Sequence, residues 1–276
     1  MPAQGDDLLI NNEFLTRISP SEFLIDAGLK FGDRGTHTSR TMMLSEITDL
    51  LCSVPQGASR EDYAAAIIQD NVLGKRTASN KRLTNQRLGE LYGLDSGLPL
   101  FRVFQRLWTI DPPGRPLLAL LVVLGRDPLF RMTASVILDL KPGEELMRSQ
   151  LIAALREGTG ERFNEAILDK VARNAASSWT QSGHLSGRIR KVRRAVEKVP
   201  PGALVLGLWM GSLFGRTGGE LLTSPWMKVF DRSASELIEV VLYARRLHLL
   251  TAHIAGDVME ISLDGLDSGG LSDEQN

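Results

Sequence analysis

Six cations fall within eleven residues of the stretch WTQSGHLSGRIRKVRRAVEK, which runs from Trp179 to Lys198. Arg188, Arg190, Lys191, Arg193, Arg194 and Lys198 repel one another at such spacing, a cost that a polyanionic partner would offset. Guanidinium and ammonium groups at this density can neutralise backbone phosphates, releasing counterions and making binding steeply salt-dependent. Ile189, Val192, Val196 and Val199 recur at three- and four-residue intervals, which predicts one short helix with a buried apolar edge and outward arginines. Glu197 interrupts the positive face, so an ordinary solvated surface stands as the other reading. Trp179 and His184 could stack on bases, although a helical tryptophan is more often part of a core.

A second group, Lys75, Arg76, Lys81, Arg82 and Arg87, is interleaved with Thr77, Ser79, Asn80, Thr84, Asn85 and Gln86. Short hydroxyl and amide side chains among cations are the types used for phosphate and base-edge contacts. The same composition also describes an ordinary polar helix face.

Other chemistries find little support. GRTGGE, from Gly215 to Glu220, lacks the GxxxxGK[ST] spacing and follows no predicted strand, so it reads as a flexible turn. His37, His184, His248 and His253 are scattered singly, without the spacing of a helical metal site. No GxSxG occurs, and the acid pairs Glu61-Asp62 and Glu144-Glu145 sit at predicted helix starts, where they complement the helix dipole. No catalytic residue, metal or cofactor is expected. The lone cysteine, Cys52, lies in an apolar run and is expected to be buried and unreactive, in a reducing compartment.

The chain has 276 residues, 43% of them hydrophobic and 24% charged, with a formal net charge of −1. That is ordinary for a globular protein, and any polyanion site must be local. The longest apolar run, Pro116 to Leu124, is far short of the ~20 residues a membrane helix needs. The opening MPAQGDD lacks a basic-then-apolar secretory pattern, so a cytoplasmic protein without membrane contact is expected.

The elements that must position these groups are mainly helical. Ser19-Pro20-Ser21-Glu22 offers a cap, Pro55 stops a helix from about Ser39, and Ser59-Arg60-Glu61-Asp62 starts another. A basic turn leads from Leu73 into a helix that Gly93 ends, with Leu83, Leu88 and Leu91 on its apolar side. Short apolar helices follow at Leu98 to Trp108, Arg115 to Leu124 and Asp127 to Leu140, before the break Lys141-Pro142-Gly143. Beyond it come helices at Glu144 to Arg156, Asn164 to Gln181, Ala203 to Phe214 and Ser233 to Leu249, then alternation on both sides of Ala255-Gly256-Asp257 that predicts a hairpin. A helix leading into a small hairpin is similar to the wing end of a winged helix. The expected organisation is a flexible arm at 1–18, a helical domain at 19–141, a second helical, winged-helix-like domain with a small C-terminal β-hairpin at 144–263, and a disordered acidic tail at 264–276.

Five lines in this order, NVLGKRTASNKRL, LFRVFQRLW, RPLLALLVVLGRDPLFRMTASVIL, WTQSGHLSGRIRKVRRAV and PGALVLGLWMG, resemble the BrxA family of bacterial BREX phage-defence clusters. With the elements around them they span most of residues 20 to 263. The resemblance implies an all-α protein whose N-terminal part is a NusB-like helical bundle, nucleic-acid binding, and no catalysis.

The reading that follows is a non-enzymatic nucleic-acid-binding component of a phage-defence system. Arg188, Arg190, Lys191, Arg193 and Arg194 would be the main phosphate contacts, and Lys75, Arg76, Lys81 and Arg82 a second set. Duplex DNA is the preferred ligand; the NusB-like resemblance speaks for RNA. The alternatives are an adaptor holding other defence-system proteins, or an enzyme whose site is assembled from residues distant in sequence.

Overall fold

The computed structural model describes residues 21–256 and 258–267; the expected arm at 1–18 and the last part of the tail lie outside them. Helices dominate. Ser21 caps α1 (Glu22–Asp26) by accepting from the Leu24 N–H, and a 3-10 turn follows at Thr36–Thr38. α2 (Leu44–Ser53) is shorter than predicted, because Ser39 to Met43 run non-helically and Met43 adopts a left-handed conformation.

α3 (Arg60–Ile68) opens on a capping box between Ser59 and Asp62. α4 (Ala78–Tyr92) is capped by Thr77 and stopped by Gly93, which takes a positive φ. Proline sits in the first turn of α5 (Pro99–Ile110) and α6 (Arg115–Arg126). The single helix expected up to Leu140 is two, α7 (Pro128–Arg131) and α8 (Ala134–Leu138). α9 (Arg148–Thr159) and α10 (Glu165–Gln181) pack on each other.

The first departure from an all-helical pattern is a small antiparallel pair, β1 (Leu185–Ser186) with β2 (Val192–Arg193). Then comes α11 (Pro201–Ser212), 3-10 turns at Gly218–Thr223 and Pro225–Phe230, and α12 (Ala234–Arg246) on a Ser233–Glu236 capping box. The predicted C-terminal hairpin is present as β3 (Thr251–Ala255) and β4 (Val258–Ser262), paired antiparallel from Thr251 opposite Ser262 to Ala255 opposite Val258. No helix among the described residues is long and apolar enough to cross a membrane.

One hydrophobic core runs through both halves. α11, buried along nearly its whole length, packs against α5 and α6, so the break at 141–144 is a surface turn and not a gap in the core. Three expectations change here. Cys52 is exposed: Ile47 and Leu50 of α2 face the core, and Cys52 falls on the opposite side of the helix. The GRTGGE turn is packed against β4. The tail begins later than 264, because Leu266 is buried and Asp267 pairs with Arg102 of α5 at 2.6 Å.

Candidate nucleic-acid interface

The basic stretch is not a helix. Gly183 and Gly187 take positive φ values of 89° and 95°, and the chain reverses over Gly187 to Lys191 to return as β2. A Cβ at Gly187 would lie 2.0 Å from the Arg190 carbonyl oxygen, so the turn needs glycine there. The three- and four-residue spacing of Ile189, Val192, Val196 and Val199 fits a helix on paper. β-branched residues beside glycine turn signals also fit strands, and the strand pairing wins. Ile189 is therefore 93% exposed at the tip instead of buried.

The hairpin is held from two sides. β1 packs on α10, and β2 is bonded on its other edge to the 143–146 segment, where Arg193 N–H donates to Glu144 O and Leu146 N–H donates to Lys191 O. This scaffold sorts the cations. Arg188, Arg190 and Arg194 are exposed; the Arg190 side chain is 82% exposed, with Glu145 at 3.6 Å. Lys191 is half-buried, its Nζ donating to Thr180 Oγ1 at 3.0 Å and to Gly187 O at 2.7 Å.

Arg193 points inward. Its side chain is 1% exposed, donates to Ile137 O and Arg194 O, and pairs with Asp231, whose other oxygen accepts from Val196 N–H. It is a buried strut between β2, α8 and the turn after Phe230, and it cannot reach a phosphate. Trp179 and His184 are also removed from any base-stacking role, since both are fully buried. Trp179 Nε1–H donates to Thr133 Oγ1, and His184 Nε2–H donates to Val229 O while Nδ1 accepts from Ser182. Burial first, and then the Arg193 charge, push the His184 ring down to about 4, so it stays neutral near pH 7.

The second basic group divides similarly. Arg76 and Arg82 are exposed, whereas Lys75 is paired with Glu46 at 3.1 Å and Lys81 Nζ donates to Ile68 O. A short chain of contacts joins the two groups. Glu46 holds Lys75, Leu44 N–H two residues away donates to Gln181 Oε1, and the neighbouring Thr180 binds Lys191. The helix before the C-terminal hairpin carries Glu236 and Glu239 on its exposed side and becomes basic only in its last turn, at Arg245 and Arg246.

Sequence reasoning missed a buried array of His37, Asp127 and Ser178. His37 Nδ1 lies 2.8 Å from Asp127 Oδ2, and Nε2 lies 2.8 Å from Ser178 Oγ, in the order of a nucleophile, base and acid. All three are sealed, with His37 and Ser178 at 0% and Asp127 at 1% exposure. Ser178 Oγ also accepts from Met42 N–H at 2.8 Å and lies 3.0 Å from Asn174 O, so it is enclosed by its own backbone. The array ties the 3-10 turn, α10 and the start of α7 together; no substrate carbonyl can approach it. Burial alone would raise the Asp127 carboxyl, but the His37 ring and the N–H groups of Phe130 and His37 outweigh it and hold it below the ordinary value.

Among the described residues, no group of three or more His, Cys, Asp or Glu side chains could hold a metal ion. The chain matches no family model, no curated protein and no solved structure.

Proposed function

We propose that this chain is a non-catalytic, cytoplasmic nucleic-acid-binding protein whose principal contact is the hairpin tip Arg188-Ile189-Arg190, with duplex DNA as its ligand. The observation that carries the reading is an apolar side chain, Ile189, 93% exposed between two exposed arginines at the tip of a hairpin whose strands are held from both sides. Exposing an isoleucine forgoes the ~1.5–3 kcal/mol that burying it would give. Insertion between base steps recovers that loss while the flanking guanidiniums meet the phosphates or the minor groove.

Arg194, Arg76 and Arg82 extend the contact as exposed cations, and the chain of contacts from Lys75 to Lys191 favours a single footprint. The placement of this protein in a phage-defence system and the NusB-like description of its N-terminal part rest on the resemblance to the BrxA family, whereas the winged-helix-like description rests on a helix leading into a small hairpin, α12 before β3 and β4. A second reading, an adaptor for other defence-system proteins, is favoured by Tyr243 in the last turn of α12 and Leu247 at its C-terminal cap, each 42% exposed.

Fluorescence anisotropy with a 20-base-pair duplex, a single-stranded DNA and an RNA of the same sequence tests the proposal. Submicromolar binding to the duplex at low salt, weaker binding to the single strands, and loss of both in Arg188→Glu/Arg190→Glu is the expected pattern. Failure of all three ligands to bind at low salt would refute it and leave the adaptor.

A further inference from the structure

A second cationic feature lies in a cleft of about 780 Å³ between the loop after α1, the helices α4 and α6, and the Arg162-Phe163 turn. Five cations line it, Lys30, Arg34, Arg87, Arg126 and Arg162, against a single carboxylate, Glu90. Glu90 is taken by Arg87 at 2.7 Å, and Arg162 is paired with Asp33. Among the described residues no carboxylate pairs with Lys30, Arg34 or Arg126.

Arg126 is the informative member. It is 7% exposed, and its two terminal nitrogens donate to the carbonyls of Gly28 and Gly89. Its Nε–H is buried with no partner, as is the Nε–H of Arg87. A buried guanidinium donor left unmade is costly, and like-charged neighbours add to that cost. Lys30 reports the same tension: burial first, and then the Arg126 charge, push its ammonium down to about 8 despite Glu90 and Asp127 nearby, with Arg60 adding further repulsion. Each of these costs falls when an anion with several acceptor oxygens enters. Phe31 and Phe163 flank the same cleft and Thr36 and Thr38 add hydroxyls, so apolar and polar walls meet there, as they do in small-ligand sites of ~300–1,000 Å³.

We propose that this cleft binds a phosphate monoester carried on a flat or apolar group, of the size of a nucleoside monophosphate. Lys30, Arg34 and Arg126 receive the phosphate, and Phe31 and Phe163 border the remainder. The ligand is either a free nucleotide or the 5′-phosphorylated end of a strand, and the two are separable by experiment. The inference does not depend on the hairpin tip, which carries none of these residues.

The test is calorimetric titration of the full chain at pH 7 with AMP, adenosine and inorganic phosphate, and with a tetranucleotide bearing either a 5′-phosphate or a 5′-hydroxyl. AMP should bind at least tenfold more tightly than phosphate, and adenosine not measurably. Arg34→Gln, on an exposed side chain with no role in the core, should weaken AMP at least fivefold. Lys30→Met should weaken it further with an unchanged circular dichroism spectrum, and Arg188→Glu/Arg190→Glu should leave it unaltered. If only the 5′-phosphorylated tetranucleotide binds and responds to Arg34→Gln, the same site takes a strand end. The proposal is overturned if neither AMP, phosphate nor the 5′-phosphorylated strand binds at millimolar concentration. Binding that is indifferent to both Arg34→Gln and Lys30→Met overturns it equally.

Discussion

Arg190 and Arg193 stand three residues apart in one basic run and do opposite things. Arg190, at the hairpin tip, is 82% exposed, whereas Arg193, on β2, is 1% exposed and committed to Asp231 and two carbonyls. Strand alternation and the turn at Gly187 separate them. A cluster of like charges in a sequence is therefore not yet a surface: part of it can be consumed as internal struts, and only the remainder can meet a partner.

The comparison breaks most visibly if Arg193 is removed. Arg193→Ala leaves Asp231 partly buried and unpaired, and should cost about 3–5 kcal/mol in a denaturant melt. Arg190→Ala should lie within about 0.5 kcal/mol of the native chain. Equal losses would mean that the two arginines share one environment.

His184, beside Arg193 and Asp231, sharpens the buried side of the contrast. Its folded value of about 4 lies below the ordinary 6.5. Between these values the unfolded chain takes up a proton that the fold refuses, so stability is full above pH 6.5 and falls toward pH 4. The loss is on the order of 3 kcal/mol. His184→Gln should flatten that slope in melts recorded across the window; an unchanged slope would place the titration elsewhere.

The exposed side yields smaller effects, read in binding. Ile189→Ser should weaken duplex binding about tenfold if the side chain leaves water on binding, with reduced bending in an end-labelled duplex measured by energy transfer. Arg82→Gln, one phosphate contact on α4, should lower the slope of log affinity against log salt by only about 0.9. No change in slope would remove α4 from the footprint.

Much of the helical frame was legible because its punctuation is local. Ser59 with Asp62, Ser233 with Glu236, and the prolines opening α5, α6 and α11 occupy the positions where helix starts need them. The hairpin at 185–193 was not legible, because its valine and isoleucine spacing satisfies a helical period while Gly183 and Gly187 carry the contrary signal. Cys52 shows the same limit at one residue: an apolar run names a helix, but only its phase against the core decides which side chain is outside. The His37, Asp127 and Ser178 array joins positions 90 and 141 residues apart, a separation at which no local pattern operates. The cationic cleft is likewise assembled from four separate segments, with its cations spread from Lys30 to Arg162.

The most direct test of the account is the salt dependence of duplex binding by the native chain and by Arg188→Gln/Arg190→Gln, both shown to melt alike. Loss of two phosphate contacts predicts a slope shallower by about 1.8 together with weaker binding at low salt. Parallel lines of equal affinity would show that the exposed tip does not touch the nucleic acid.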